Sequence, residues 1–321
     1  MKLGVFSPVL QDRSLEEALK YLTDRGVHVI ELGCGGFPGK AHVNPAELLQ
    51  DDAKVRALID LLSKYEMEVS ALSCHGNPVH PDKAIADGYH QDFTDAILLA
   101  EKMGIDTIVG FSGCPGDSEG SKYSNWVTCP WPPEFLDILD WQWNQILIPY
   151  WKQTAAFAAN HGIKKIAFEM HPGFCVYNPK TLLRLREAVG DIIGANFDPS
   201  HLVWQGMDIV TAIRELKGAI HHFHAKDTKM DPQNTAKNGV LDTTHFGQEL
   251  DRSWIFRTVG YGHDDGYWKD IISTLRMIGY DGAISIEHED SLMTSTEGLD
   301  KAIAFLQSVL IHEGRTEMWW A

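Results

Sequence analysis

Eight times along the chain a short apolar segment gives way to a stretch with apolar residues at helical spacing. This alternation constrains the fold more than any other feature of the 321 residues. The short segments are "KLGVFS" (2–7), "HVIELG" (28–33), "EVSALSCHG" (68–76), "DTIVGFSG" (106–113), "KIAFEMH" (165–171), "IGANFDPSH" (193–201), "IHHFHAKD" (220–227) and "GAISIEHED" (282–290). Their near-continuous apolar character suits strands covered on both faces. The stretches between them carry helix signals: "SLEEALKYLTDRG" opens with Ser14 and Glu17 at capping-box spacing and closes in Gly26. Parallel strands need helical crossovers, and a closed barrel of such units takes about 250 residues before insertions. The expectation is an α/β fold, a single (β/α)8 TIM barrel spanning residues 1–321 as one domain. The competing open, doubly wound sheet has no G-x-G-x-x-G after its first strand to support it. Two long connections take up the remaining length: an aromatic-rich insertion at about 114–149, after the fourth strand, and a polar loop at about 228–266, after the seventh. In a barrel both lie on the catalytic face, where long loops serve as lids or substrate walls.

Active sites of such barrels stand at the carboxyl ends of the strands, so the polar side chains that point inward there matter most. Strand alternation puts Glu169 and His171 on one face of the fifth segment, and Asn196 and Asp198 on one face of the sixth. By the same rule His222, His224 and Lys226 share a face of the seventh, and Ser285, Glu287 and Glu289 a face of the eighth. Glu169, Asp198, His224 and Glu287 then converge above the barrel. Carboxylates left unpaired in such a place repel one another and lose hydration, a cost that a divalent metal removes. The donor set, mostly hard oxygen with one imidazole, suits Mn²⁺, Co²⁺ or Mg²⁺, and Zn²⁺ less exclusively. Taken singly, each residue reads as readily as a loop carboxylate or a hydrogen-bonded core histidine; the four together point to a metal.

Charge bounds the partners. Lys and Arg number 28 against 44 Asp and Glu, a formal charge of -16, which repels nucleic acid and anionic lipid. The five cysteines have no C-x-x-C spacing, the chain opens without a signal-peptide pattern, and no apolar run reaches the length of a membrane helix. These features lead one to expect a cytoplasmic protein with free thiols that binds neither nucleic acid nor membrane. The terminal "MWW" offers a docking segment for a helix groove or for a second subunit, which admits a homo-oligomer.

"FEMHP", "NFDPSH", "HFHAKD" and "IEHED", in this order and in these strand contexts, resemble the sugar phosphate isomerase/epimerase family. These are the xylose-isomerase-like TIM barrels that include ketose 3-epimerases and inosose dehydratase. The resemblance runs from "KLGVFS" through "GYDGAISIEHED". It implies the same four metal ligands, Glu169, Asp198, His224 and Glu287, and gives Glu169 and Glu287 the removal and return of a substrate proton through an enediolate. It also implies a metal-proximal or substrate-binding role for His201 and a contact of Arg257 with substrate oxygens.

Other candidates come from the residues themselves. His75 and His263 are placed as general acids or hydroxyl contacts, with capping histidines as the plainer reading. Lys226 pairs with a carboxylate or meets substrate, Glu31 hydrogen-bonds a sugar or orients His75, and Trp126 in "YSNWVT" stacks on a sugar ring while other insertion tryptophans pack. Neither a P-loop nor a basic cluster marks a phosphate site. The expected activity is a divalent-metal-dependent isomerase or epimerase acting on a carbohydrate, a ketose or keto-sugar. A lyase or dehydratase, including elimination on 3-keto-glycosides, uses the same groups and stays open. An abasic-site endonuclease fits the charge poorly, and a non-catalytic sugar-binding protein is the remaining reading.

Overall fold

The computed structural model describes residues 1–314 and 316–320. Among these, strands β1 (Lys2–Phe6), β2 (Val29–Gly36), β3 (Glu68–His75), β4 (Thr107–Gly110), β5 (Lys165–Glu169), β6 (Ile193–Phe197) and β7 (Ile220–Ala225) pair in parallel, each with the next. Two short strands follow, β8 (Asp227–Met230) and β9 (Trp254–Arg257), before β10 (Ala283–Ile286) pairs with both β7 and β1 and closes the barrel. The expected (β/α)8 architecture is thus present, with β10 as its eighth strand.

The barrel strands turn most of their large apolar side chains to one side. Ile166 and Phe168 of β5, Phe223 and Ala225 of β7, and Ile284 and Ile286 of β10 join the main core against the helices. Burying one such large side chain is worth about 1.5–3 kcal/mol. The alternate residues face the axis, and they are small or polar: Ala71, Val109 and Ala167 form a separate small cluster. Glu31, Ser73, Asn196, His222, His224 and Ser285 are buried polar groups. The near-continuous apolar reading therefore describes the outer rows, while the inner rows hold most of the buried polar groups.

Helix Ser295–Val309 and helix Lys83–Met103 begin on side-chain caps, Thr294 and Asp82, as turn chemistry predicts. At the end of β2 the backbone of Gly36 has a φ of +66°, and a Cβ there would fall 1.7 Å from the His75 carbonyl oxygen. Glycine is needed for β2 to come this close to the end of β3, where His75 sits.

The first long connection is more helical than its sequence suggested. A helix starts at Glu134 and runs through a π-turned segment, Gln142–Leu147, into Ile148–Asn160, so the irregular part ends well before Pro149. The wide π turn stands just ahead of that proline, where an ordinary α-helix would lack a donor. The Gln142 amide ties the preceding loop down by donating to the carbonyls of Gly116 (2.9 Å) and Asn125 (2.6 Å). In the second connection β8 and β9 form an antiparallel ribbon, with Thr228 opposite Phe256. The alternation of buried Trp254 and Phe256 with half-buried Ile255 and Arg257 is a strand signal hidden in a loop otherwise polar.

Buried Asp227 fastens this connection to the barrel. Its Oδ2 accepts the backbone N–H groups of Gly260, Gly262 and His263 (3.0–3.1 Å) and the Trp268 indole N–H (3.2 Å). Its Oδ1 meets His263 Nδ1 at 2.7 Å. Replacing Asp227 by Ala leaves these buried donors without an acceptor, and the expected cost is about 3–5 kcal/mol. A urea unfolding curve checks it: an unchanged midpoint would show that the carboxylate does not anchor the loop.

Candidate active site

Four side chains from four barrel strands meet at the carboxyl end. Glu169 is the last residue of β5, Asp198 directly follows β6, His224 lies near the end of β7, and Glu287 directly follows β10. One potential ligand atom from each lies within 4.8 Å of those of the others. Asp198 also caps the helix Pro199–Trp204, its Oδ1 accepting the Ser200 N–H at 2.8 Å. That cap fixes one carboxylate oxygen and leaves the other turned to the cluster.

His224 is held from below. Its Nε2 lies 2.9 Å from both carboxylate oxygens of Glu31, while its Nδ1 lies 3.0 Å from Glu287 Oε2 and 3.3 Å from Glu169 Oε2. Glu31 is fully buried and also accepts from Ser285 Oγ (2.6 Å) and Ser73 Oγ. A carboxylate at Nε2 keeps a proton on that nitrogen and leaves Nδ1 as the atom turned to the cluster, which prepares this histidine to ligate a metal when Nδ1 gives up its proton. Farther down, His222 Nδ1 meets Asn196 Oδ1 at 2.9 Å, and Asn196 Nδ2 reaches Glu169 Oε2 at 3.4 Å. Glu31 thus serves His224 and not His75 or the cavity. Its inward position on β2 was the available signal; the partner, 193 residues away, was not.

The charges are crowded. Lys226 Nζ lies 2.9 Å from Glu287 Oε2 and 3.1 Å from both Asp198 Oδ2 and Glu289 Oε2. Burial opposes its charge, but Asp198, Glu287 and Glu289 more than offset this and hold its ammonium well above the usual lysine range. Burial likewise works against ionisation of Glu169, yet hydrogen bonds from His201, His224 and His75 bring its carboxyl well below the ordinary range. The same balance, with Lys226 and His224 as the cations, lowers Glu287. Asp198 goes the other way: burial, reinforced by Glu169 and Glu287 against the pull of Lys226, pushes it up to about 7. Its Oδ2 has the Lys226 ammonium at 3.1 Å as its close cationic neighbour.

Above the cluster opens a cavity of about 350 Å³, within the size range of small-molecule sites. Glu169, Glu287, His75 and Lys226 line it, together with Glu289 and His171, which share the inward parity of Glu287 and Glu169. His75 Nε2 lies 3.1 Å from Glu169 Oε2. His201 is buried behind the carboxylates, its Nε2 3.1 Å from Glu169 Oε1 and 3.4 Å from Asp198 Oδ2, and burial with the neighbouring His171 brings it down to about 3. The remaining three sequence candidates stand elsewhere. Arg257 Nε pairs with Asp290 Oδ2 (3.1 Å), and His263 is engaged by Asp227 and stacked on Tyr267. Trp126 lines a different cavity of about 800 Å³, with Trp143 and Tyr177. The aromatic wall of the cluster's cavity comes from Phe6, Phe37 and Phe111 instead, with Phe6 stacked 5.3 Å from the His224 ring and Phe111 4.6 Å from the His75 ring. From the ribbon, Phe256 lies 5.2 Å from the His201 ring and 4.8 Å from Lys226 Nζ.

A family model described as xylose isomerase-like TIM barrel matches residues 9–309. The uncharacterized protein YfiH of Bacillus subtilis (strain 168) is 38% identical over 313 residues, covering 97% of this chain and 99% of that one. Among solved structures, the IolI protein with a binding zinc atom is similar at a TM-score of 0.66 and 18% identity, covering 97% of this chain and 98% of that one. D-psicose 3-epimerase with D-tagatose, from Clostridium cellulolyticum H10, is similar at 0.63 and 14%, covering 97% and 99%. At these identities the two structures speak for the fold alone. The family model, reaching almost from end to end, goes further: this chain belongs to the xylose isomerase-like TIM barrels.

Proposed function

We propose that this protein is a divalent-cation-dependent isomerase or epimerase of a ketose or keto-sugar, with Glu169 and Glu287 as its proton carriers. The observation that carries the reading is the convergence of Glu169, Asp198, His224 and Glu287 at the floor of a cavity that the two glutamates line. The donor set fits a cation. Three carboxylates and an imidazole nitrogen surround one small volume, and Asp198 is held toward neutrality with Lys226 already 3.1 Å from its Oδ2. Such a cluster is short of positive charge. The donors suit Mn²⁺, Co²⁺ or Mg²⁺. The zinc in IolI and the ketose named for the epimerase agree with a cation site and a sugar substrate.

A cation held by these four residues would polarise adjacent substrate oxygens and acidify the C–H between them. Glu169 and Glu287, both kept ionised, are the bases that remove and return that proton, and two carriers permit delivery to either the same or the opposite face. His75 and His201 fix the orientation of Glu169 through its two oxygens. The Lys226 ammonium donates to substrate oxygens and balances the enediolate charge. A substrate with a leaving group β to the abstracted proton would eliminate by the same steps, which makes a lyase the second reading.

Proton transfer to and from carbon predicts deuterium incorporation from D₂O into a keto-sugar, read by NMR across a sugar panel with added Mn²⁺. Glu287→Gln and Glu169→Gln should each lower this exchange by more than about a thousandfold; no exchange with any keto-sugar would contradict the proposal. Chelation followed by gel filtration should abolish exchange and Mn²⁺ should restore it, whereas a chelated protein of full activity would remove the cation from the account. Glu31→Gln should weaken Mn²⁺ binding by roughly 10- to 100-fold while the chain stays folded by circular dichroism. An unchanged Mn²⁺ affinity would show that Glu31 does not position His224.

A further inference from the structure

Beside the metal-type cluster lies a second compartment of about 360 Å³, nearly the size of the first, lined by Phe246, Ile255, Phe256, His171, Glu289 and Ser291. His171 and Glu289 line both, so the two spaces adjoin. The second is built by the β8–β9 ribbon. Thr228 Oγ1 donates to the Ser200 carbonyl at 2.9 Å, which ties the ribbon to the helix capped by Asp198 and sets Phe256 beside His201. Phe246 stacks on Phe256 with centroids 5.9 Å apart and planes at 18°. The Arg252 guanidinium lies 4.2 Å from the Phe246 centroid, and Trp254 meets that ring edge-on. Trp254 in turn stacks on Trp204 at 4.6 Å. Phe246 is 54% exposed although four aromatic or cationic groups brace the platform to which it belongs. A large apolar ring held rigid and open to solvent is a surface prepared for a ligand.

We infer that this compartment is a second-ring subsite, and that the preferred substrate is a sugar whose reacting ring in the metal-type pocket is linked to another sugar ring on the Phe246–Phe256 platform. The inference rests on the isomerase or epimerase reading and adds the size of the substrate. Aromatic faces cover the C–H face of a sugar, while Glu289, Ser291 and His171 along the other edge meet its hydroxyl groups. A wholly apolar group would strip water from those polar side chains without return, and an anionic one would face Glu289 in a chain of formal charge -16. The shared His171 and Glu289 border is what lets one molecule occupy both spaces.

The test compares D-fructose with its glucosylated forms turanose, maltulose and isomaltulose, each titrated calorimetrically into the Mn²⁺-loaded full-length protein and into Phe246→Ala. At least one disaccharide should bind roughly tenfold more tightly than fructose to the native chain, and Phe246→Ala should cancel that advantage. A Mn²⁺ titration of the variant, reporting on the four-residue cluster, verifies that it is folded. If fructose binds and no disaccharide binds more tightly, the subsite is wrong and the proposed function stands. If neither kind of sugar binds, the subsite inference is overturned, and the deuterium-exchange panel decides the proposed function separately. A Phe246→Ala that alters sedimentation but not the disaccharide advantage would assign the platform to contact between chains and overturn the inference.

Discussion

The packing of Glu169, Asp198 and Glu287 into one buried corner, with only Lys226 and His224 as cations against them, is the interaction on which the rest of the site depends. Each carboxylate is delivered by the end of a different strand, so none can withdraw without disturbing the barrel. The strain of like charges is shared unevenly: Glu169 and Glu287 stay ionised and Asp198 is driven toward the neutral form. That division follows from the neighbours. Glu169 receives three histidines and Glu287 receives Lys226 and His224, while Asp198 Oδ2 has Lys226 at 3.1 Å as its one close cation and faces Glu169 and Glu287 from full burial. Under the proposed function, such a site would take up a cation and keep Glu169 and Glu287 as proton acceptors lining its cavity.

The polar interior of the barrel is the support for this corner. Apolar residues on the outer rows bind the strands to the helices, which frees the inner rows to carry Glu31, Ser73, Asn196, His222 and Ser285. These groups form a connected network beneath the cluster, and its effect is to choose which nitrogen of His224 faces upward. Stability comes from one set of alternate residues and chemistry from the other.

Much of this was legible in the sequence because strand periodicity is local. The apolar segments and the helical stretches between them give the barrel, and the period of two gives the inward parity of Glu169, Asp198, His224 and Glu287 without knowledge of register. What lay beyond the sequence depended on partners distant along the chain. Arg257 reads as a substrate contact by resemblance and His263 as a general acid or hydroxyl contact; in the structure the acids Asp290 and Asp227 engage them. Trp126 reads as a sugar platform from its polar setting in an aromatic-rich insertion; in the structure it lines another cavity, beside Trp143 and Tyr177, with its neighbour Asn125 tied to Gln142. The ribbon that supplies Phe256 was visible only as four alternating residues inside a polar loop, too short a signal to separate from its surroundings.

Among the described residues three groupings of side chains are placed to hold an ion, and two of them share His224: Glu31 and His222 lie on its Nε2 side, and Glu169, Asp198 and Glu287 on its Nδ1 side. The measurement that decides the central claim is anomalous diffraction at the manganese edge from crystals grown with Mn²⁺. The account predicts a peak enclosed by Glu169, Asp198, Glu287 and the Nδ1 atom of His224, with Nε2 still on Glu31. A peak on the Nε2 side, or none in that corner with Lys226 still bridging Asp198 and Glu287, would contradict it.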